Sequence, residues 1–407
     1  MLYQAYQTYA DMMHAGCTLA DYTASVIATN KHAAECESLR SLWAACEILS
    51  LARLTHHRPA FGIDSVVVNG LPVQVSEEVV AQTPFCSLLH FRRHGVTGQP
   101  RVLLVAPMSG HFATLLRGTV QTMLADHDVY ITDWHNPRDI PLFAGRFGFD
   151  EFVGHLITFL QELGGHTHLM AVCQPTVAAL AAAALMAEDD DPAQPPSLTL
   201  MAGPIDARVN PTKVNELAMS RPIEWFESTL IGFVPLRFVG GLRRVYPGFV
   251  QLLAFMSMNL ERHEQTLREM HALRSRGEHA KADAIQDFYV EYFATMDLTA
   301  EFYLETVSMV FQRFLLAQGL LDVGGRRVST RAIRRTALLT VEGERDDICA
   351  IGQTMAAQDL CDSLHPYMRM HHVQTGVGHY GVFNGKRWEA QVYPLVRDTI
   401  YTNELAA

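Results

Sequence analysis

The chain has 407 residues, 49% of them apolar and 18% charged, with a formal net charge of −11. That length exceeds one ordinary domain and falls short of three, and the apolar share excludes global disorder. The acidic balance argues against a nucleic-acid binder held by phosphate contacts. Seven irregularly spaced cysteines without a C-x-x-C pair argue against a disulfide framework or a zinc ribbon, and fit a reducing cytoplasm.

The first residues, MLYQAYQTYADMMHAG, lack a basic region followed by an apolar stretch, so no signal peptide is expected. The longest apolar run, Val177 to Ala187, is far short of the roughly 20 residues that span a bilayer. YQTYADMM and ESLRSLWAACEILSLARL carry apolar residues at spacings of three and four, which predicts a helical segment over 1–60 closed by Pro59. DSVVVNGLPVQVSEEVV then reads as a hairpin around Asn69-Gly70, and PFCSLLHFRR as a further strand. From RVLLVAP onward, strands (DHDVYITDW, HLMAVC, SLTLMAG) alternate with helices (FDEFVGHLITFLQEL and the Ala-rich run after Cys173). That rhythm predicts a mostly parallel sheet covered by helices, with 61–205 as its first part. Residues 206–325 read as a helical insertion without strands. The α/β texture resumes over 326–407 with TALLTVEG, a helix near Gln353 to Leu364, the strand YMRMHHVQT and a closing helix.

The stretch HLMAVCQ ends a strand at Cys173 and starts a helix with Gln174-Pro175-Thr176, the strand-to-helix elbow on which α/β-hydrolases carry their nucleophile. Small Ala171 suits the crowded turn, and Pro175 falls in the first helical turn, where its missing N–H costs no helical bond. The N–H of Gln174 is one expected oxyanion donor. The helix N-terminus favours a thiolate on Cys173, whereas an isolated cysteine more often serves as a small buried hydrophobe. Downstream, in the order this fold uses, Gly343-Glu344-Arg345-Asp346-Asp347 places a carboxylate after a strand, and Gly376-Val377-Gly378-His379-Tyr380-Gly381 places a histidine in a glycine-flanked loop. Asp346 is preferred to Asp347 because it lies three residues after Gly343, and Asp206 is a further candidate acid. His371 and His372 read as structural. A second oxyanion donor is expected from Met108 or Ser109, in the turn Met108-Ser109-Gly110-His111. Gly110 and His111 are candidate substrate contacts, His111 being alternatively a polar residue on an exposed turn. No metal site is expected.

AVCQPTVAAL, MAGPIDARVNPTKVNELA, VEGERDDICAIGQT, GVGHYGVFNGKRW, APMSGHFATLLRGTV and YITDWHNPRDIPL together resemble the intracellular polyhydroxybutyrate (polyhydroxyalkanoate) depolymerases of bacteria. The likeness spans nearly the whole chain and is weakest over the first 60 residues. It implies an α/β-hydrolase fold related to polyhydroxyalkanoate synthases, with Cys173 as nucleophile, Asp346 as acid and His379 as base. It also implies cleavage of polyester in storage granules of the cytoplasm, with no cofactor, coenzyme A being a conceivable acyl acceptor; a homo-oligomer is left open. A polymerising acyltransferase and a non-catalytic granule-surface protein are the rival readings. Trp225, Phe226, Phe233, Phe255, Met256 and Met258 in the insertion either rest on the granule as a lid or simply cover the sheet. Arg326, Arg327, Arg331, Arg334 and Arg335 form either a solvated face or a coenzyme A phosphate site.

Overall fold

The computed structural model describes residues 2–30, 32, 35–258 and 260–404, and two helices, Leu2–Thr29 and Glu37–Leu51, come first. Spacings of three and four put Cys17, Ala20 and Ala24 on one buried face of the first. Strand β1 (Ser65–Val68) turns into β2 (Leu71–Gln82) through Asn69 and Gly70, whose φ values of 51° and 79° are the left-handed pair that a type I′ turn requires. The sheet continues with β3 (Cys86–Arg93), β4 (Arg101–Val105), β5 (Asp128–Trp134), β6 (Thr167–Val172), β7 (Ser197–Met201), β8 (Ala337–Gly343) and β9 (Arg369–Gln374).

The nine strands lie in the order β1-β2-β3-β5-β4-β6-β7-β8-β9. The pairs β1–β2, β2–β3 and β3–β5 are antiparallel and all the others parallel. This is the α/β-hydrolase fold that the strand–helix alternation predicts. β6, β7 and β8 are buried along their whole length, which explains why they read as unbroken apolar runs rather than alternating ones. Helix Thr176–Glu188 is buried from Thr176 through Met186, and its alanines let it lie against both the sheet and helix Phe149–Leu163.

Between β7 and β8 lie helices Lys213–Met219, Ile223–Leu230, Gly248–Met258, Leu260–Ser275, His279–Tyr292 and Ala300–Thr306. The expectation of a stretch without strands is corrected here. Gly232–Phe233, Arg244–Tyr246 and Leu298–Thr299 pair into a small antiparallel sheet, and Asp322–Val323 pairs with Arg326–Arg327. Strands of two or three residues are too short to show alternation. The helix expected near Gln353 to Leu364 is reduced to Ala356–Leu360, and the closing helix is Tyr393–Glu404.

The N-terminal helices pack on the insertion. Arg274 donates to both carboxylate oxygens of buried Glu47 (2.9 and 3.0 Å) and sits 4.4 Å over the Trp43 ring. Tyr3 donates 2.6 Å to buried Asp297, which also accepts the Gly248 N–H at the start of helix Gly248–Met258. Of the aromatic and methionine residues expected on a lid surface, Phe226 is buried, Trp225 half-buried and edge-on to it, and Phe255 and Met256 are half-buried in a cluster with Tyr289 and Tyr292. Phe233 is exposed, and the Met258 side chain lies outside the described residues. Packing is thus what most of these residues do. Among the described residues, no helix is long and apolar enough to cross a membrane.

Candidate active site

β6 stays paired with β7 through Val172↔Met201, and the Cys173 N–H extends the ladder by donating 2.7 Å to the Met201 carbonyl. The chain then reverses sharply. Cys173 has φ of 67°, a left-handed conformation that a residue with a Cβ seldom adopts, and a helix begins at Thr176. Thr176 ties the corner by donating its hydroxyl to the Cys173 carbonyl at 2.9 Å. The neighbouring strand leaves room for this corner because residue 203 is glycine. A Cβ there would stand 1.9 Å from Thr176 Oγ1 and 2.5 Å from its Cβ. Gly203→Ala is therefore expected to lower stability by about 2 kcal/mol and to displace the elbow. A reduced denaturant midpoint together with reduced activity checks this, and an unchanged midpoint contradicts it.

After β8, Asp346 folds back so that its Oδ1 accepts the N–H groups of Ile348 (2.9 Å) and Cys349 (2.8 Å). Its Oδ2 meets Nδ1 of His379 at 2.7 Å, and both residues are buried. The loop carrying His379 is stitched to this turn by Glu344 N–H to Gln374 O (2.9 Å) and Arg345 N–H to Val377 O (2.8 Å). His379 also lies close enough to Cys173 for the sulfur to act on its charge. Burial opposes charge on the imidazole, but the Asp346 carboxylate, the Cys173 sulfur and the hydrogen bond to Asp346 outweigh it and hold His379 well above the usual histidine range. Cys173, His379 and Asp346 are thus lined up in relay order at the carboxyl ends of β6, β9 and β8.

The other candidates separate clearly. Asp206 spends its carboxylate on Arg208, at 2.8 Å to Nε and 2.8 Å to Nη2, and takes no part in the relay. His371 bonds Thr340 Oγ1 (2.9 Å) and His372 bonds Gln374 (3.1 Å), both along β9 as structural residues would. The Met108 N–H faces the elbow, donating to Oε1 of Gln174 at 3.4 Å, with half-buried Ser109 beside it. Gly110 has φ of 96°, and a Cβ there would meet the Gln251 side chain at 2.8 Å, so the insertion presses directly on this turn. The exposed-turn reading of His111 is overturned: only 2% exposed, the ring bonds the Tyr292 carbonyl at 3.2 Å, and burial pushes its pKa down to about 4. The insertion covers the turn that the sequence alone leaves open.

A cavity of about 530 Å³ opens beside His379. Phe255, His263, Phe288, Tyr289 and Tyr292 of the insertion form one wall, and Val377 to Gly381 the other. Cys173 is half-buried beside His379. Four of the five arginines weighed as a solvated face or a coenzyme A phosphate site are paired with carboxylates. Arg326 pairs with Asp189, Arg327 with Asp322, Arg331 with Asp362 and Arg335 with Asp190. Arg334 and Arg335 precede β8, at the end of the parallel strands opposite the one that carries Cys173. The solvated face is what the structure shows. Among the described residues, no group of three His, Cys, Asp or Glu is placed to hold a metal.

Three contributors went unread in the sequence. Gly203 is one, although a glycine directly after SLTLMA marks a close approach. The Gln174 side chain, which engages Met108, is another. Glu342 is the third: wholly buried at the end of β8, it accepts the N–H groups of Gly352 (2.9 Å), Thr354 (2.7 Å) and Met355 (2.9 Å) and so anchors the loop behind Asp346. Glu342→Ala would strand the buried Thr354 N–H and take the acceptor from the part-buried N–H groups of Gly352 and Met355, and a loss of roughly 1–3 kcal/mol is expected. Equilibrium denaturation measures it, and a loss under about 1 kcal/mol would mean that water replaces the carboxylate.

Among solved structures, a carboxylesterase of the thaumarchaeon Nitrososphaera gargenis is 12% identical, with 82% of this chain and 100% of that one covered at a TM-score of 0.43. The 2-hydroxy-6-oxo-6-phenylhexa-2,4-dienoate hydrolase of Rhodococcus sp. strain RHA1 is 14% identical, with coverages of 81% and 99% and a TM-score of 0.42. Likenesses this distant carry no argument about chemistry. No curated protein matches the chain. Residues 202–404, which hold the insertion, Asp346 and His379, match the family model described as PHB de-polymerase C-terminus.

Proposed function

We propose that this protein is a carboxylic-ester hydrolase that cleaves polyhydroxybutyrate, or a related short-chain polyhydroxyalkanoate, through a thioester on Cys173. The observation that carries the reading is the Cys173–His379–Asp346 relay, set on a left-handed elbow at φ 67° and lying partly within the segment that matches the PHB de-polymerase C-terminus model. The Cys173 thiolate attacks the ester carbonyl, and the N–H of Gln174 with that of Met108 or Ser109 receives the oxyanion. Gly110 and His111 stand behind that turn as candidate contacts to the acyl group. His379 gives its proton to the departing alkoxide, the C–O bond breaks, and the acyl unit stays on sulfur. Neutral His379 then takes a proton from water, the hydroxide displaces the thiolate, and a hydroxyacid or short oligomer leaves.

Coenzyme A can replace water in the second half. Exchange of one thioester for another is nearly balanced in energy, which an oxoester on serine would not allow, so cysteine favours thiolysis as a second outlet. A cytoplasmic site of action on storage granules agrees with a thiol nucleophile, which needs reducing conditions. Release of 3-hydroxybutyrate or its oligomers from amorphous polymer, assayed with and without coenzyme A, tests the proposal. Soluble acid without coenzyme A, or hydroxybutyryl thioester with it, upholds it. Polymer growth from hydroxyacyl thioester and no release would point to the synthase direction, and granule binding without turnover to a non-catalytic role.

A further inference from the structure

The cavity beside His379 has an apolar wall and a charged rim, and the rim has no use in the reading above. Phe255, Phe288 and Tyr292 suit a short aliphatic ester, yet Arg262 of helix Leu260–Ser275 and Arg345 of the turn after β8 also line the opening. Both arginines are exposed. The ion pairs on these two elements among the described residues are Arg268–Glu264, Arg274–Glu47, Arg274–Asp283 and His379–Asp346, and none takes Arg262 or Arg345. Among the described residues lining the cavity, Asp347 is the one carboxylate, so two guanidinium groups outweigh it. A positive rim on a chain of net charge −11 concentrates anions at that opening against the field of the rest of the surface.

A segment from the middle of a polyester is neutral and gives the guanidinium groups nothing to pair with. A ligand with an apolar body and an anionic end uses both parts of the cavity. We infer that Arg262 and Arg345 recognise an anionic terminus of the molecule entering the site. That terminus is the free carboxylate of a short oligoester, or the phosphates of a thiol acceptor, which present the same charge. The inference rests on the ester-cleaving reading for the identity of the ligand, not for the existence of the charged rim.

Binding to the Cys173→Ala protein separates the two questions, because it needs no turnover. The probes are the linear trimer of 3-hydroxybutyrate with a free carboxylate, the same trimer as its methyl ester, coenzyme A, and N-acetylcysteamine as a thiol without phosphates. Titration calorimetry at low salt is expected to show one anionic probe binding roughly five- to tenfold more tightly than its neutral counterpart. Adding Arg262→Gln and Arg345→Gln should bring that ratio close to one. Both side chains are exposed, so an unchanged melting temperature confirms that the fold is kept. A preference for the free trimer identifies the carboxylate, and a preference for coenzyme A the phosphates. Ratios equal in the two proteins, or near one for both pairs of probes before the arginines are changed, overturn the inference. Failure of the wild type to release acid from polymer overturns the proposed function instead and leaves the binding ratios to be read separately.

Discussion

Replacing Cys173 by alanine is expected to reduce ester cleavage by about 10⁴-fold or more while leaving the fold in place. The side chain is small, half-buried and at the end of a ladder that its backbone holds through the 2.7 Å bond to Met201, so its removal opens no core cavity. What disappears is the proposed nucleophile. Cys173→Ser is more informative about mechanism. Asp346 and the sulfur both favour the charged form of His379, and a serine hydroxyl, far less acidic than a thiol, gives it no comparable support. The serine variant should therefore lose about 10²–10³-fold, and any acyl group it accumulates should be an oxoester that coenzyme A does not release. Clearing of an amorphous polymer suspension measures turnover, and intact-protein mass spectrometry measures the acyl group. Alanine-variant activity within tenfold of wild type would end the proposed mechanism.

How much of this is legible in the sequence follows from the range of the interactions. Asn69-Gly70 announces its hairpin because a two-residue turn needs positive φ at both positions and few other pairs accept it. The buried strands and the elbow are also local: an apolar run, a small residue, a cysteine and a proline at the helix start lie within eight positions. The order of cysteine, acid and histidine is legible because each follows a strand. Interactions between distant segments are not. Nothing around Glu47 points to Arg274, and nothing around Tyr3 points to Asp297, yet these pairs fix the N-terminal helices on the insertion. The two-residue strands at 232–233 and 298–299 exist only because Arg244–Tyr246 lies between them. His111 looks exposed until Tyr292 covers it. Gly203 carries a signal in its own neighbourhood, but its reason, the Thr176 side chain, lies on another element.

Asp346→Asn should be nearly as damaging to catalysis as loss of the nucleophile, by about 10³–10⁴-fold in kcat, and for a reason written in the hydrogen bonds. Oδ1 of Asp346 accepts two backbone N–H groups, from Ile348 and Cys349, and Oδ2 faces Nδ1 of His379. An asparagine in the same place must keep its carbonyl oxygen toward the two backbone donors, since turning the amide NH₂ toward them would set donors against donors. The NH₂ group then faces Nδ1, which must present its lone pair, and the ring proton moves to Nε2, the nitrogen left for Cys173. Such a ring cannot take the proton of the thiol, and without the carboxylate it no longer supports the imidazolium. KM should change little, because the loss falls on the chemical step. The backbone bonds survive, so stability should stay within about 1 kcal/mol of wild type. Asp346→Ala makes the contrast. It takes the acceptor from the part-buried N–H of Ile348 and the buried N–H of Cys349 and should lose roughly 1–3 kcal/mol of stability in addition to activity. Steady-state kinetics on a soluble ester, beside denaturation curves for both variants, separates the two effects. An asparagine variant retaining more than about one-tenth of wild-type kcat would remove Asp346 from the relay, since no ring with its proton on Nε2 could sustain that rate.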